Sequence, residues 1–139
     1  MVNFQSHATS NPNAVAQYAS VAALNGDQSC VTAMVEQFQQ RRDAMVERIN
    51  RIPHISCVKP AGAFYIMMNI KDVLGRSYNG RVLETSMDFA ELLLAEQQVA
   101  VVPGVAFEAE GFCRLSYAIS LENILKGLDR IEEFVRSLS

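Results

Sequence analysis

The sequence predicts an α/β (α+β) two-layer sandwich, in which a small mixed sheet carries helices mainly on one face. The first observation behind this fold class is the order of segments, which runs helix, helix, strand, strand, helix, strand, strand, helix. The second is the composition, since 50% of the 139 residues are hydrophobic, which is enough to enclose a core at this size. The third is that neither an internal repeat nor a low-complexity segment interrupts the order.

The two amino-terminal helices differ in character. The first covers residues 13–25, ends at Gly26, and carries small apolar residues in nearly every direction around its axis, a pattern that favours burial on all sides. The segment before it is polar and turn-prone and holds no strand, so we expect the sequence to have been cut from something longer. The second helix is amphipathic, covers about 22 residues and ends before Pro53, because a residue that precedes a proline disfavours the helix. Its apolar face comprises Val31, Met34, Phe38, Met45, Ile49 and Ile52.

The rest of the chain predicts four strands and two further helices. The strand segments are residues 54–58, 63–70, 99–102 and 112–119. Thr85 or Ser86 caps the helix that separates the second strand from the third. Ser120 caps the last helix, whose apolar stripe contains Leu121, Ile124, Leu125, Leu128, Ile131, Val135 and Leu138.

Composition and charge argue against several classes of protein. A formal net charge of −3 does not suit a nucleic-acid-binding surface. The three cysteines are odd in number and show neither CxxC nor Cys/His spacing, which argues against a disulfide framework and against a metal site. No apolar run is long enough for a membrane helix and no signal peptide is visible, so we expect a reduced, cytoplasmic protein.

One arginine lies within an otherwise apolar strand segment, GFCRLSYAIS at residues 111–120. Strand alternation separates Arg114 from the better core face, which carries Cys113, Leu115, Tyr117 and Ile119. Arg114 is therefore expected to face a cleft or another domain. A guanidinium group stays charged and binds a carboxylate at two points. Two interpretations stay open on the residues alone: a structural ion pair with a nearby Asp or Glu, or a site for an anionic ligand.

The other residues that carry chemistry form no motif. His7 and His54 have no nucleophile or metal ligand at motif spacing. The glycines of PAGAFY and VPGVAF are typical of turns beside strands, and neither a glycine-rich phosphate loop nor a GxSxG elbow occurs. Lys59, Lys71 and Lys126 lack the desolvated or cation-flanked setting that activates a lysine.

Five stretches in a fixed order carry a resemblance to a known family. They are QSHATSNPNAVAQYASVAAL, FQQRRDAMVERIN, PAGAFYIMMNI, VAVVPGVAF, and RLSYAIS with its closing helix. Together they resemble the carboxy-terminal third of the class I, fold-type I aminotransferases that use pyridoxal 5'-phosphate, closest to the bacterial aspartate aminotransferase branch. The resemblance covers the chain except for the loops near 71–85 and 107–112. It implies a strip of the large cofactor-binding domain at residues 1–26 and the small domain at residues 27–139.

The resemblance assigns roles to individual residues. In this family the arginine of the RLSYA-type strand binds the α-carboxylate of the amino-acid substrate, which implies that role for Arg114. Phe64 resembles a residue that packs near the carboxylate. Glu108 stands where the family usually has a glycine, and an inward-facing carboxylate there would compete with substrate for Arg114. Four residues of the opening segment resemble positions that line the site: Ser6, Thr9, Ser10 and Asn11.

The resemblance also implies what the chain does not contain. In the family, the lysine that holds pyridoxal 5'-phosphate and most other cofactor ligands lie upstream of this region. No catalytic or cofactor-binding residue is therefore expected here, and the chain alone is expected to be inactive. The full-length protein would be a homodimer that transfers the amino group of aspartate, or of a related amino acid, to a 2-oxo acid such as 2-oxoglutarate.

Other functions stay open at this point. Another fold-type I enzyme, such as an aromatic or prephenate aminotransferase, would carry the same residues, because most residues that read the distal end of the substrate lie upstream. A free-standing amino-acid-binding regulatory module without catalysis would need the apolar helix at residues 13–25 covered within the chain or by self-association. A pyridoxal-type domain fused to a DNA-binding regulator is not supported by the acidic charge.

Overall fold

The structure is a computed structural model that describes residues 2–139. The chain divides into two compact units, the first of which ends at Val35 while the second comprises Glu36–Ser139. The division after residue 26 that the resemblance implies stays a prediction. In the part of the chain that the structure describes, no helix is both long and apolar enough to span a membrane.

The first unit is helical. α1 (Val2–Ala8) forms where the sequence pattern predicts a turn-prone segment, because nothing before Pro12 prevents two helical turns. α2 (Ala14–Asn25) confirms the predicted helix, and the side chain of Asn13 caps its first turn. No residue of α2 is buried, so its apolar side chains stay exposed.

Helix α3 (Ser29–Ile49) confirms the predicted long amphipathic helix. Its carboxy-terminal half carries the buried residues Met45 and Ile49, and Ile52 follows them into the core. The predicted apolar face is wrong at the amino-terminal end, where Val31 and Met34 are exposed. The spacing of apolar residues defines a face of the helix, but it does not define how far along the helix a partner extends.

Four strands of the second unit form one sheet in the order β1-β2-β6-β5, and every pair is antiparallel. Their bounds are β1 Ser56–Cys57, β2 Tyr65–Asn69, β5 Val102–Pro103 and β6 Phe112–Ser116. The α/β class is confirmed, whereas the predicted mixture of strand directions is wrong. Strand patterns do not encode direction, and the turn that joins β5 to β6 is too short for a parallel crossover. A separate hairpin pairs β3 (Ser77–Tyr78) with β4 (Arg81–Val82).

The core lies between one face of the sheet and the helices. The inner face consists of Ile66 and Met68 from β2 and Cys113 and Leu115 from β6, all buried. They share one hydrophobic cluster with residues from α3, α4 (Ser86–Gln97) and α5 (Leu121–Ser137), among them Ile49, Phe89, Leu93, Ile124, Leu128 and Phe134. The two-layer arrangement is therefore confirmed, and the outer face of the sheet carries the half-buried residues.

The predicted helix starts are confirmed at α4 and α5. Thr85 caps α4 through a capping box with Asp88, and the Ser120 side chain accepts the N–H of Asn123 at the start of α5. Two corrections apply near α5. Ile119 is 46% exposed, because the strand and its alternation end at Ser116. The predicted stripe of α5 is too wide, since Leu121 and Leu125 are exposed.

Candidate functional site

Arg114 lies in the interior of the sheet, in the middle of β6. Met67 of β2 and Val102 of β5 are its partners on either side. Its chain neighbours Cys113 and Leu115 are buried in the core, so strand alternation places the side chain of Arg114 on the opposite face. The predicted separation of Arg114 from the core face is confirmed.

Two aromatic rings flank the guanidinium group of Arg114. Its Cζ lies 4.2 Å from the centroid of the Tyr65 ring and 4.2 Å from the centroid of the Phe107 ring. Tyr65 belongs to β2, whereas Phe107 ends the 3₁₀ turn Gly104–Phe107 that follows β5. Aromatic faces at this distance attract the cation and favour one orientation of its plane.

The guanidinium group has no acidic partner within residues 2–139. The ion pairs of this range all join other residues, and the Nε atom of Arg114 is buried without a hydrogen-bond partner. A buried donor without an acceptor is costly, and arginine does not deprotonate to relieve that cost. A planar anion with two oxygens, such as a carboxylate, matches this donor.

Glu108, the neighbour that would compete for Arg114, lies in the turn after the 3₁₀ segment. Its φ of 55° places it in the left-handed region, and its backbone N–H closes the turn on the carbonyl oxygens of Gly104 and Val105. The residue is exposed, and no ion pair within residues 2–139 joins it to Arg114. In this geometry Glu108 does not compete with a substrate carboxylate for Arg114.

Phe64 lies next to Tyr65, and its role near a substrate carboxylate stays a prediction. It is 40% exposed, its carbonyl oxygen accepts the N–H of Tyr117 at 2.9 Å, and its ring centroid lies 4.2 Å from that of Tyr65. Of these two adjacent rings, Tyr65 is the one over which the guanidinium group of Arg114 lies. The alternation of AFYIMMNI places Tyr65 on the same face as Met67, and this signal could have identified it. Phe107 lies in a turn, where no periodicity marks it.

The four candidate residues of the opening segment belong to the first unit, and all are exposed. Three of their hydroxyl groups donate to nearby backbone carbonyl oxygens: Ser6 to Asn3, Thr9 to Gln5 and Ser10 to Ser6. The side-chain amide of Asn11 donates to the carbonyl oxygen of Pro12. All of these contacts are local, and the role of the four residues toward a ligand stays a prediction.

The remaining reactive groups of residues 2–139 suit structural roles. Burial raises the pKa of the Cys113 thiol to about 12, so this cysteine is not a nucleophile near neutral pH. Lys59 pairs with Asp43 at 2.9 Å, the Nζ atom of Lys71 lies 4.9 Å from the centroid of the Phe112 ring, and Lys126 is exposed on α5. No cluster of metal-ligating side chains occurs in that range.

Comparison with known sequences identifies one family. A family model described as aminotransferase class I and II matches residues 1–131. An aspartate/prephenate aminotransferase of Nitrosomonas europaea is 42% identical over 133 residues, which is 94% of this chain and 34% of that protein. An aspartate aminotransferase of Streptomyces avermitilis is 43% identical over 133 residues, which is 96% of this chain and 33% of that protein.

Comparison with solved structures gives the same result. The aspartate aminotransferase from Rhizobium meliloti superposes with a TM-score of 0.90 at 42% identity, over 98% of this chain and 34% of that one. An aromatic aminotransferase from Pyrococcus horikoshii superposes with a TM-score of 0.81 at 36% identity, over 96% of this chain and 34% of that one. The chain thus spans about a third of the length of the relatives that it matches.

Proposed function

We propose a role for Arg114 from one premise: this chain belongs to the aminotransferase class I and II family. The proposed function is that of the carboxy-terminal third of an aminotransferase that uses pyridoxal 5'-phosphate. In it, Arg114 binds the α-carboxylate of the amino-acid substrate. The observation that carries this proposal is the buried, unpartnered Nε of a guanidinium group that two aromatic rings flank.

The contribution of Arg114 is positioning. A carboxylate that accepts two parallel hydrogen bonds from one guanidinium group has its orientation fixed as well as its position. Fixing the carboxylate fixes the rest of a small amino acid relative to the protein, which lowers the entropic part of the barrier. Because the Nε atom of Arg114 is buried beside Met67 and Tyr65, the attraction between guanidinium and carboxylate is screened less than in water.

The cofactor of the family does not fit the residues of this chain. Pyridoxal 5'-phosphate needs a lysine in a desolvated setting and a set of donors for its phosphate. Lys59 forms an ion pair, Lys71 lies over an aromatic ring, and Lys126 is exposed, so none offers that setting. We therefore assign cofactor binding to other parts of the full-length protein and expect this chain alone to be inactive.

The substrates are inferred from the names of the relatives. Aspartate is the donor that we propose, and a 2-oxo acid such as 2-oxoglutarate is the proposed acceptor. The names of two relatives support a second candidate, since one is an aspartate/prephenate aminotransferase and one an aromatic aminotransferase. A screen of amino donors and 2-oxo acids with the full-length protein decides between the two. A cytoplasmic homodimer is the proposed form of that protein.

The proposal is tested by Arg114→Ala in the full-length protein. Loss of one partner of a desolvated charge pair costs about 2–5 kcal/mol, so kcat/KM for the amino donor should fall by roughly 30-fold to a few thousand-fold. Arg51→Ala is the matched control, because Arg51 is an exposed arginine just after α3 whose ion pair within residues 2–139 is with Glu47 of that helix, and it should retain wild-type kinetics. An Arg114→Ala protein that stays within about threefold of wild type on every donor would contradict the proposal.

A further inference from the structure

Phe107 lies in the segment 104–111 between β5 and β6, which is called the turn below. Hydrogen bonds join this turn to the start of α4 near both of its ends. Near its beginning, the N–H of Val105 donates to Oγ of Ser86 at 3.3 Å. Near its end, the carboxylate of Glu110 accepts the N–H of Ser86 on Oε1, the hydroxyl of Ser86 on Oε2 at 3.0 Å, and the N–H of Gly111 on Oε1 at 3.0 Å. Ser86 therefore joins the two ends of the turn.

Ser86 is the one fully polar side chain buried in the core of residues 2–139, with no exposed surface. Its hydroxyl donates to Glu110 and accepts the N–H of Val105, so both of these hydrogen bonds are directed at the turn. The capping box of Thr85 and Asp88 satisfies the N–H groups of those two residues, and the N–H of Ser86, which it leaves over, donates to Glu110. The contact between Glu110 and Ser86 thus joins the turn to the amino terminus of α4.

The turn itself is closed and tightly packed. The N–H of Ala109 donates to the carbonyl oxygen of Gly104 at 3.0 Å. A Cβ atom on Gly104 would lie 2.0 Å from the carbonyl oxygen of Ala109 and 2.5 Å from that of Phe112. Phe107 projects from this turn and is 41% exposed. The conformation of the turn backbone therefore contributes to the position of the ring against Arg114.

We propose that Glu110 and Ser86 form a latch that holds Phe107 over Arg114 and so preorganises the guanidinium group for a carboxylate. Glu110 and Ser86 are positioning residues in this proposal, since they act through Phe107. The structural part of the proposal, that the latch holds Phe107 over Arg114, is argued from the contacts above. The kinetic part, that this arrangement favours binding of the carboxylate, rests on the proposed function of Arg114.

The structural part is tested by the Nε–Hε resonance of Arg114 in the ¹⁵N-labelled full-length protein. The resonance is assigned by its loss in Arg114→Lys, and the two flanking rings should shift it upfield. Phe107→Leu and Glu110→Gln should both move it toward the position of an exposed arginine. Glu108→Gln is the matched control, because Glu108 lies in the same turn with an exposed side chain, and it should leave the resonance in place.

A resonance that stays in place in folded Glu110→Gln overturns the latch. If that variant does not fold, Ser86→Ala decides in its place, because it keeps the Glu110 carboxylate and removes only the hydroxyl. An unmoved resonance in folded Ser86→Ala then overturns the proposal, and a moved one supports it.

The kinetic part is tested by steady-state kinetics of the same variants in the holoenzyme. Glu110→Gln should raise KM for the amino donor roughly tenfold, the weakening expected for one charge-assisted hydrogen bond, with kcat within about twofold. A change in kcat alone, or an unchanged KM with a moved resonance, overturns the preorganising role. If instead Arg114→Ala has wild-type kinetics while the resonance of Glu110→Gln has moved, the proposed function fails and the latch stands.

Discussion

The sharpest test of the turn beside Arg114 is the substitution Gly104→Ala. The added Cβ would lie 2.0 Å from one backbone carbonyl oxygen and 2.5 Å from another, those of Ala109 and Phe112. Both oxygens belong to the backbone, and Phe112 is fixed in β6, so neither moves aside as the end of a flexible side chain would. Gly104 is required here for close approach, since its φ does not lie in the left-handed region.

The expected loss of stability follows from these contacts. Forcing a methyl group into packed surroundings costs about 1–3 kcal/mol, and opening the hydrogen bond between Ala109 and Gly104 adds about 1 kcal/mol. A total of about 3 kcal/mol would lower the urea midpoint by roughly 1.5 M at an m-value of about 2 kcal/mol/M. Because the turn carries Phe107, KM for the amino donor should rise as well.

Gly62→Ala provides the control for this experiment. Gly62 also lies beside a strand near the site, but nothing stands within 4 Å of the position of its Cβ. Its substitution should change the free energy of unfolding by less than about 0.5 kcal/mol. Urea unfolding followed by circular dichroism measures both variants. Equal midpoints for Gly104→Ala, Gly62→Ala and wild type would refute the steric argument.

Two further predictions concern stability. Gly127→Ala should raise the free energy of unfolding by about 1 kcal/mol, because Gly127 lies inside α5 with open space at its Cβ; a lower urea midpoint would contradict this. Hydrogen bonds from the Thr85 hydroxyl and from Arg81 lower the pKa of Asp88. Burial alone would raise the pKa of Glu110, but the hydrogen bonds from Ser86 and Gly111 outweigh burial, so this pKa is lowered too. In the acid range the unfolded chain therefore binds more protons than the folded chain. The stability that the two carboxylates contribute is present above their ordinary pKa values of 3.8 and 4.5, and it is lost as the pH falls through their lowered pKa values in the folded protein. Urea midpoints measured across the acid range should therefore fall less steeply for Asp88→Asn than for wild type, and parallel curves would contradict the assignment.

The elements that the sequence predicted well are those with a clear period. Helix α3 has apolar residues at helical spacing over its length, and β6 alternates strictly around Arg114. The predictions failed where the periodic pattern of apolar residues ends, and where burial depends on which other element packs against the residue. Ile119 lies beyond the end of β6, and the exposure of Val31 depends on what covers the start of α3. Strand direction is likewise a property of a pair, which one segment does not encode.

Of the residues of the candidate site, only the charged one, Arg114, could be predicted from the sequence. Arg114 is conspicuous because a charge in an apolar strand requires a partner. Tyr65 and Phe107 are apolar or amphipathic residues among many others, and what selects them is tertiary structure: the register of β2 on β6 and the return of the chain after β5. Glu110 is separated from Ser86 by 24 positions, and no spacing rule connects a loop glutamate to a helix start at that distance.

The arrangement of the other charges supports the proposal that Arg114 binds a ligand. The described chain places carboxylates beside Arg42, Arg48, Arg51, Arg81 and Arg136, so acidic partners are plentiful. Arg114 alone has a buried side-chain nitrogen without an acceptor in that range, and its cross-strand partners are Met67 and Val102. A glutamate or aspartate at either of these two positions would have given Arg114 an acidic partner within the sheet. Its place is taken by apolar side chains and two rings, which favour the cation without neutralising it. The guanidinium group thereby keeps its full charge, as the proposal that Arg114 binds a substrate carboxylate requires.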